Sequence, residues 1–151
     1  MLVLQEIIQL KYLKVFSLIS AGFIIVKKFG INFFYLTLIT WSGSIDIPKG
    51  KCEINEIKID CALRELKEET NISIDDISIL NFISHNKDLT LFLAILESNK
   101  KVKINYNPLS NLLEHYDYEW NNFKNLKEVS PKRFLLHLNL SNKFLKENQL
   151  E

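Results

Sequence analysis

Apolar residues along the chain fall into two rhythms. From Val15 to Lys28 the composition is rich in Val, Ile and Phe, which predicts a strand, and Gly22 marks a bulge or a close backbone approach. Residues 28–32 read as a turn and Phe33 to Thr40 as a second strand, so the pair predicts a hairpin. Trp41 to Ser44 reads as a loop. Ile45-Asp46-Ile47 is short and extended, because Pro48 favours an extended residue before it. The rhythm then changes. Ile59, Ala62, Leu63 and Leu66 recur at helical spacing and predict a helix over 57–70. Asp60 and Arg64 are four apart and placed to pair across one turn. Asn71 follows, where a left-handed residue often closes a helix and Asn ranks after Gly.

Strand patterns return at 77–84 and 88–96, around the loop His85-Asn86-Lys87. Residues 98–103 form a polar, basic link that leads toward a strand, and 105–114 read as a loop broken by Pro108. Tyr116 to Asn121 reads as a strand with Tyr118 and Trp120 on one face. Pro131 opens a final helix through Glu147, with Phe134, Leu135, Leu138, Phe144 and Leu145 available to pack. Residues 1–14 suit either a short helix or a strand and read as an N-terminal extension of the domain. Strands, a helix, further strands and a last helix predict an α/β sandwich with a mixed sheet.

At 151 residues the chain fits a single domain over 1–151, and 47% apolar content is enough to fill a core. The net charge of +1 gives no electrostatic argument for a nucleic-acid binder. Cys52 and Cys61 lack metal-ligand spacing and are too few for a disulfide framework, so they are expected to be free structural thiols in a reducing, cytoplasmic setting. Gln5, Glu6, Gln9, Lys11 and Lys14 interrupt the apolar start, which argues against a signal peptide. The longest apolar stretch, Val15 to Val26, is shorter than the about 20 residues a bilayer span needs, so no membrane partner is expected. A monomer is the favoured state.

The candidate chemistry lies between Pro48 and Ile72. Glu65, Glu68 and Glu69 share one sector of the predicted helix, next to its apolar face. Three like charges held together repel, and no lysine on that face relieves them. A divalent cation would. Mg²⁺ suits oxygen ligands and a few carboxylates, with Mn²⁺ as an alternative. Gly50 ends a tight loop before the helix, where a missing Cβ lets backbone approach a ligand or metal. Lys49 and Lys51 flank it and would suit a polyphosphate.

The spacing is Gly50, five residues, Glu56, seven residues, then Arg64-Glu65-Leu66-Lys67-Glu68-Glu69, followed by Asn71-Ile72. It resembles the signature of the Nudix hydrolases, with Asn71 where that family has Gly. The resemblance implies a Nudix-like α/β/α sandwich. It implies a salt bridge from Glu56 to Arg64 that fixes the loop against the helix, metal binding by Glu68 and Glu69, and a metal-binding or orienting role for Glu65. The implied reaction is attack of water on a phosphoanhydride in a nucleoside diphosphate-linked substrate.

Segments outside the signature resemble the asymmetrical diadenosine tetraphosphate hydrolases. They are Ser20 to Ile25, Tyr35 to Leu38, Pro48-Lys49-Gly50, Asn81 to Lys87, and Glu114-His115-Tyr116-Asp117-Tyr118-Glu119-Trp120. After Gly50 the chain departs from that branch, losing its His, Pro and Gly. The resemblance makes Glu114 a catalytic candidate and Phe82 and Phe144 candidates for stacking a base. His85 and His115 read as surface or packing histidines. The leading expectation is hydrolysis of diadenosine tetraphosphate to ATP and AMP. The alternatives are an enzyme acting on RNA 5′ ends, with Lys100, Lys101 and Lys103 available to an RNA backbone, and a nucleotide-binding module without catalysis.

Overall fold

The computed structural model describes residues 16–85, 88–105 and 113–148. Residues 1–14, and most of the loop between Asn105 and Glu114, lie outside the described residues. Seven strands form one mixed sheet: β1 (Phe16–Phe29), β2 (Asn32–Thr40), β3 (Ile45–Asp46), β4 (Lys49–Glu53), β5 (Ile77–His85), β6 (Leu89–Leu96) and β7 (His115–Asn122). Among the described residues three α-helices flank it: α1 (Lys58–Thr70), α2 (Phe123–Val129) and α3 (Lys132–Glu147).

β1 is the hub. Its last residues turn back antiparallel into β2, with Val26 opposite Tyr35. Its earlier part pairs antiparallel with β4, Ala21 opposite Gly50. Its other edge runs parallel to β6, Phe23 beside Phe92. β7 and β3 both pair with β2, and β5 closes the far edge against β6. The parallel β1–β6 pair among antiparallel neighbours makes the sheet mixed, as the order of elements predicts.

Alternation along β1 divides the core in two. Ala21, Phe23 and Ile25 point to one face and pack with Cys61, Ala62 and Leu66 of α1. Ile24 and Val26 point to the other and pack with Leu126 of α2 and Phe134, Leu138 and Leu145 of α3. The result is the α/β/α sandwich. Among the described residues no helix is long and apolar enough to cross a membrane.

Four local expectations change. Lys49 to Glu53 is a strand and not a loop, because its backbone completes the open edge of β1. Residues 98–103 form no strand; Lys103 instead donates its N–H to the Thr70 carbonyl at 3.0 Å. Helix α2 has no counterpart in the sequence reading, since seven residues with so few apolar positions give little periodicity. Its start is set by Asn122, whose side chain accepts from the Asn125 N–H. Finally, Cys52 and Cys61 are joined as a disulfide. Pairing β4 with β1 swings the end of β4 under the first turn of α1, which brings the two Cα atoms to 5.3 Å.

Candidate active site

The site forms where β4, α1 and the start of β7 meet. Helix α1 begins after Ile57 and ends on Asn71, which takes the left-handed conformation at φ 66° and donates its N–H to the Lys67 carbonyl. This is the closure expected there. The helix presses Glu65 against β4. Gly50 is what allows it: a Cβ at that position would overlap the Glu65 carboxylate. Gly22 does the same one strand over, where a Cβ would overlap the Pro48 carbonyl and Lys49.

Arg64 braces this arrangement. Its Nε donates to Glu56 Oε2 at 2.9 Å and its Nη2 to Glu56 Oε1 at 3.0 Å and the Lys51 carbonyl at 3.0 Å. Its Nη1 donates to Glu65 Oε1 at 2.8 Å and Glu68 Oε2 at 3.2 Å. The Glu56–Arg64 bridge implied by the resemblance is present. The Asp60 partner is not, because the guanidinium is already engaged by these groups. Nor is the carboxylate repulsion unrelieved, since Arg64 itself bridges Glu65 and Glu68. Hydrogen bonding to Glu56, offset in part by burial and helped by Glu65 and Glu68, raises the Arg64 pKa further above its ordinary value.

Burial pushes the Glu65 carboxyl above the usual range, with the Glu68 and Glu114 charges adding to it and Arg64 opposing. Burial also pushes Glu69 well above it, with Glu65, Asp46 and Glu114 adding to it. Glu69 Oε2 accepts the Lys49 backbone N–H at 3.3 Å. Glu69, Glu114 and His115 each offer one ligand atom, all within 4.8 Å of one another. Such a cluster is costly to ionise alone and supplies mainly oxygen donors. It fits a hard divalent cation.

The sequence assigns Asp46 no role in the site, and His115 reads there as a surface or packing histidine. His115 is buried, and its Nε2 lies 3.0 Å from Asp46 Oδ2. Lys49 Nζ lies 3.3 Å from Asp46 Oδ1. Burial pushes Asp46 upward, but the His115 hydrogen bond and Lys49 outweigh it and hold the carboxyl below the usual range. An ionised Asp46 can only accept, so His115 Nε2 carries the proton. No spacing rule joins Asp46 to His115; only the pairing of both β3 and β7 with β2 does.

Lys51 is exposed at the rim, whereas Lys49 is turned inward. Phe82 is half exposed and meets Phe92 edge-on at 5.8 Å on the α1 side of the sheet. Phe144 packs against the core on the other side. The two therefore cannot grip one ring between them. Lys100 lies 3.9 Å from Asp76, apart from the carboxylate cluster.

Known proteins resemble this chain in sequence and in fold. A family model described as the NUDIX domain matches residues 21–138. The mRNA-decapping protein g5R of African swine fever virus (isolate Pig/Kenya/KEN-50/1950) is 31% identical over 110 residues, which span 62% of this chain and 44% of that protein. The chain thus spans less than half the length of this curated relative. The C. elegans Ap4A hydrolase, in its binary complex, superposes with a TM-score of 0.71 at 22% identity, covering 85% of this chain and 97% of that one. A NUDIX hydrolase structure from Listeria monocytogenes gives a TM-score of 0.68 at 18% identity, covering 86% and 95%. The last two likenesses concern the fold alone. With the family model spanning most of the chain, the protein belongs to the NUDIX family of hydrolases.

Proposed function

We propose that this protein hydrolyses a phosphoanhydride in a polyphosphate that links two nucleosides 5′ to 5′, with diadenosine tetraphosphate, split to ATP and AMP, as the leading substrate. The observation that carries the reading is the meeting of Glu65, Glu68 and Glu69 of α1 with Glu114, the residue before β7, beside the Lys49–Gly50 strand edge. Glu65, Glu68 and Glu69 are the residues that would hold Mg²⁺. The ion, when bound, neutralises phosphate oxygens and acidifies water.

The chain's own groups position the substrate. Lys49 and Lys51 face the phosphates from β4. Water adds to one phosphorus, the bridging P–O bond breaks with its electron pair going to the departing phosphate, and Glu114 takes the water proton. Asp46 and the Nε2 proton of His115 hold the strand end that carries Glu114.

Incubation of the purified protein with Mg²⁺ and diadenosine tetraphosphate, with products resolved by chromatography, is the test. ATP and AMP in equal amounts are expected, with Glu68→Gln reduced at least about 100-fold. No turnover, or turnover equal in Glu68→Gln, would overturn the reading.

The likeness to a viral decapping protein supports a second substrate, the 5′ cap of RNA, whose bridge is also a 5′–5′ polyphosphate. Faster turnover of capped RNA than of diadenosine tetraphosphate under the same conditions would favour it.

A further inference from the structure

β7 carries a one-residue irregularity. Ile39 pairs with Asp117 and Thr40 with His115, so Tyr116 is the extra residue between them. A bulge re-aims the side chain it frees. Tyr116 turns outward and is 47% exposed, and its ring packs on that of Trp41 with centroids 5.4 Å apart and planes inclined by 35°. Trp41 is 67% exposed, yet it is held: its Nε1–H donates to the Leu113 carbonyl at 2.6 Å. Two anchored aromatic rings at the surface form a rigid apolar step beside Glu114.

Tyr116 also lines a groove of about 440 Å³ between β2, β7 and α2. Ile39, Ile45 and Val129 form its apolar part, and Glu119, Asn121 and Asn125 supply carboxylate and amide groups. A volume of that order suits a small ligand, and an apolar floor with a few polar edges is the usual composition of such a site. Glu114, two residues before Tyr116, belongs to the cluster with Glu69 and His115. A phosphate chain on that cluster would carry an attached nucleoside toward this groove.

We propose that the groove binds one purine nucleoside of the substrate, its base stacked on Tyr116 and the Tyr116 ring backed by Trp41. This rests on the reading of the substrate as a nucleoside polyphosphate and adds where one base is held. Stacking accepts any purine face; the polar edge provided by Glu119, Asn121 and Asn125 is what can choose among purines. Adenosine and a capped guanosine share this chemistry.

The test compares the wild-type protein with Tyr116→Ala, Tyr116→Phe and Trp41→Ala, each shown to be folded by circular dichroism. Equilibrium binding of AMP and of 7-methyl-GMP is measured beside binding of tripolyphosphate, which has no base. KM and kcat are then measured on diadenosine tetraphosphate and a cap dinucleotide. Tyr116→Ala is expected to weaken at least one mononucleotide, and raise KM for the matching dinucleotide, by roughly 5- to 100-fold, the range that stacking supports. Tyr116→Phe should retain the affinity, Trp41→Ala should lose part of it, and tripolyphosphate should bind all variants alike. The mononucleotide that loses affinity identifies the base. Unchanged nucleotide binding in Tyr116→Ala would overturn the proposal, as would a parallel loss of tripolyphosphate binding. If no dinucleotide is hydrolysed, the activity reading fails, while the mononucleotide measurements still decide the groove.

Discussion

Arg64 and Glu56 are joined by two parallel hydrogen bonds, one from Nε and one from Nη2, at 2.9 and 3.0 Å. Glu56 Oε1 also accepts the Glu53 N–H at 3.0 Å, so the pair ties the β4–α1 turn to the second turn of the helix. The planar fork of Arg fits this geometry and the single ammonium of Lys does not. Removing one partner of a buried pair costs about 3–5 kcal/mol. Here both side chains keep some solvent contact, at 20% and 14%. Arg64→Ala is therefore expected to lower stability by roughly 2 kcal/mol. Arg64→Lys should recover less than half of that. Urea denaturation of the two variants is the measurement, and a midpoint for Arg64→Lys equal to wild type would contradict the account.

Gly50 makes a different prediction, because its contact is with a candidate metal ligand and not with a brace. The chain at Gly50 is ordinary strand with no positive φ, so alanine meets no backbone strain there. It would meet the Glu65 carboxylate instead. Gly50→Ala should fold, displace Glu65, and weaken Mg²⁺ binding by about 10- to 100-fold, as loss of a supporting contact does at metal sites. Isothermal titration with Mg²⁺, set beside the melting temperature, separates the two effects. Wild-type metal affinity in Gly50→Ala would show that Glu65 needs no such space.

How much of this was legible in the sequence depended on whether the signal was local. Helix α1, its Asn71 closure and the shared sector of Glu65, Glu68 and Glu69 follow from spacing along one element, and the structure repeats them. The β1–β2 hairpin follows from two strand patterns and a Gly turn. Local signal failed where a contact is made only by assembly. Lys49 to Glu53 looks like a loop until β1 offers it an edge. Asp46 and His115 are 69 residues apart, and nothing in either neighbourhood predicts their contact. Position along the chain is what likens Phe82 and Phe144 to stacking aromatics, and it does not report on which side of the sheet a ring stands. The spacing of Cys52 and Cys61 fits neither a metal motif nor a disulfide framework, whereas their meeting depends on the angle between β4 and α1.

The disulfide ties the strand that carries Gly50 to the helix that carries Glu65. Cys52 and Cys61 are 9 residues apart in sequence, and closing a loop of that size stabilises by about 2–3 kcal/mol through the unfolded chain. Adding dithiothreitol should lower the urea midpoint by the corresponding amount. In the Cys52→Ala, Cys61→Ala double variant the reductant should have no effect. The bond leaves neither cysteine as a thiol and both sulfurs are buried, so alkylation should require reduction and be faster when the reduced protein is also unfolded. Identical midpoints for wild type with and without reductant would show that the bond contributes nothing.

Asp76 provides a pH prediction well away from the carboxylate cluster. Its Oδ2 accepts the Ser73 N–H at 2.9 Å and the Ser73 hydroxyl at 3.1 Å, and its Oδ1 accepts the Ser98 hydroxyl at 3.1 Å. The Ser73 backbone hydrogen bond, with the hydroxyls and Lys100 helping against some desolvation, holds its pKa below the ordinary carboxylate value. A pKa lower in the folded state than in the unfolded chain means that folding favours the ionised form. Its contribution is therefore present above about pH 4, the unfolded value, and lost as the pH falls through the lower folded value. Asp76→Ala removes the cap that joins the short turn at 74–76 to the end of β6, and should cost about 1 kcal/mol at pH 7. The difference from wild type should shrink toward acid, as the pH falls through the lowered folded-state value. Urea titrations of the two proteins across that fall would show it, and a deficit that stays constant toward acid would assign the effect of Asp76 to packing instead of charge.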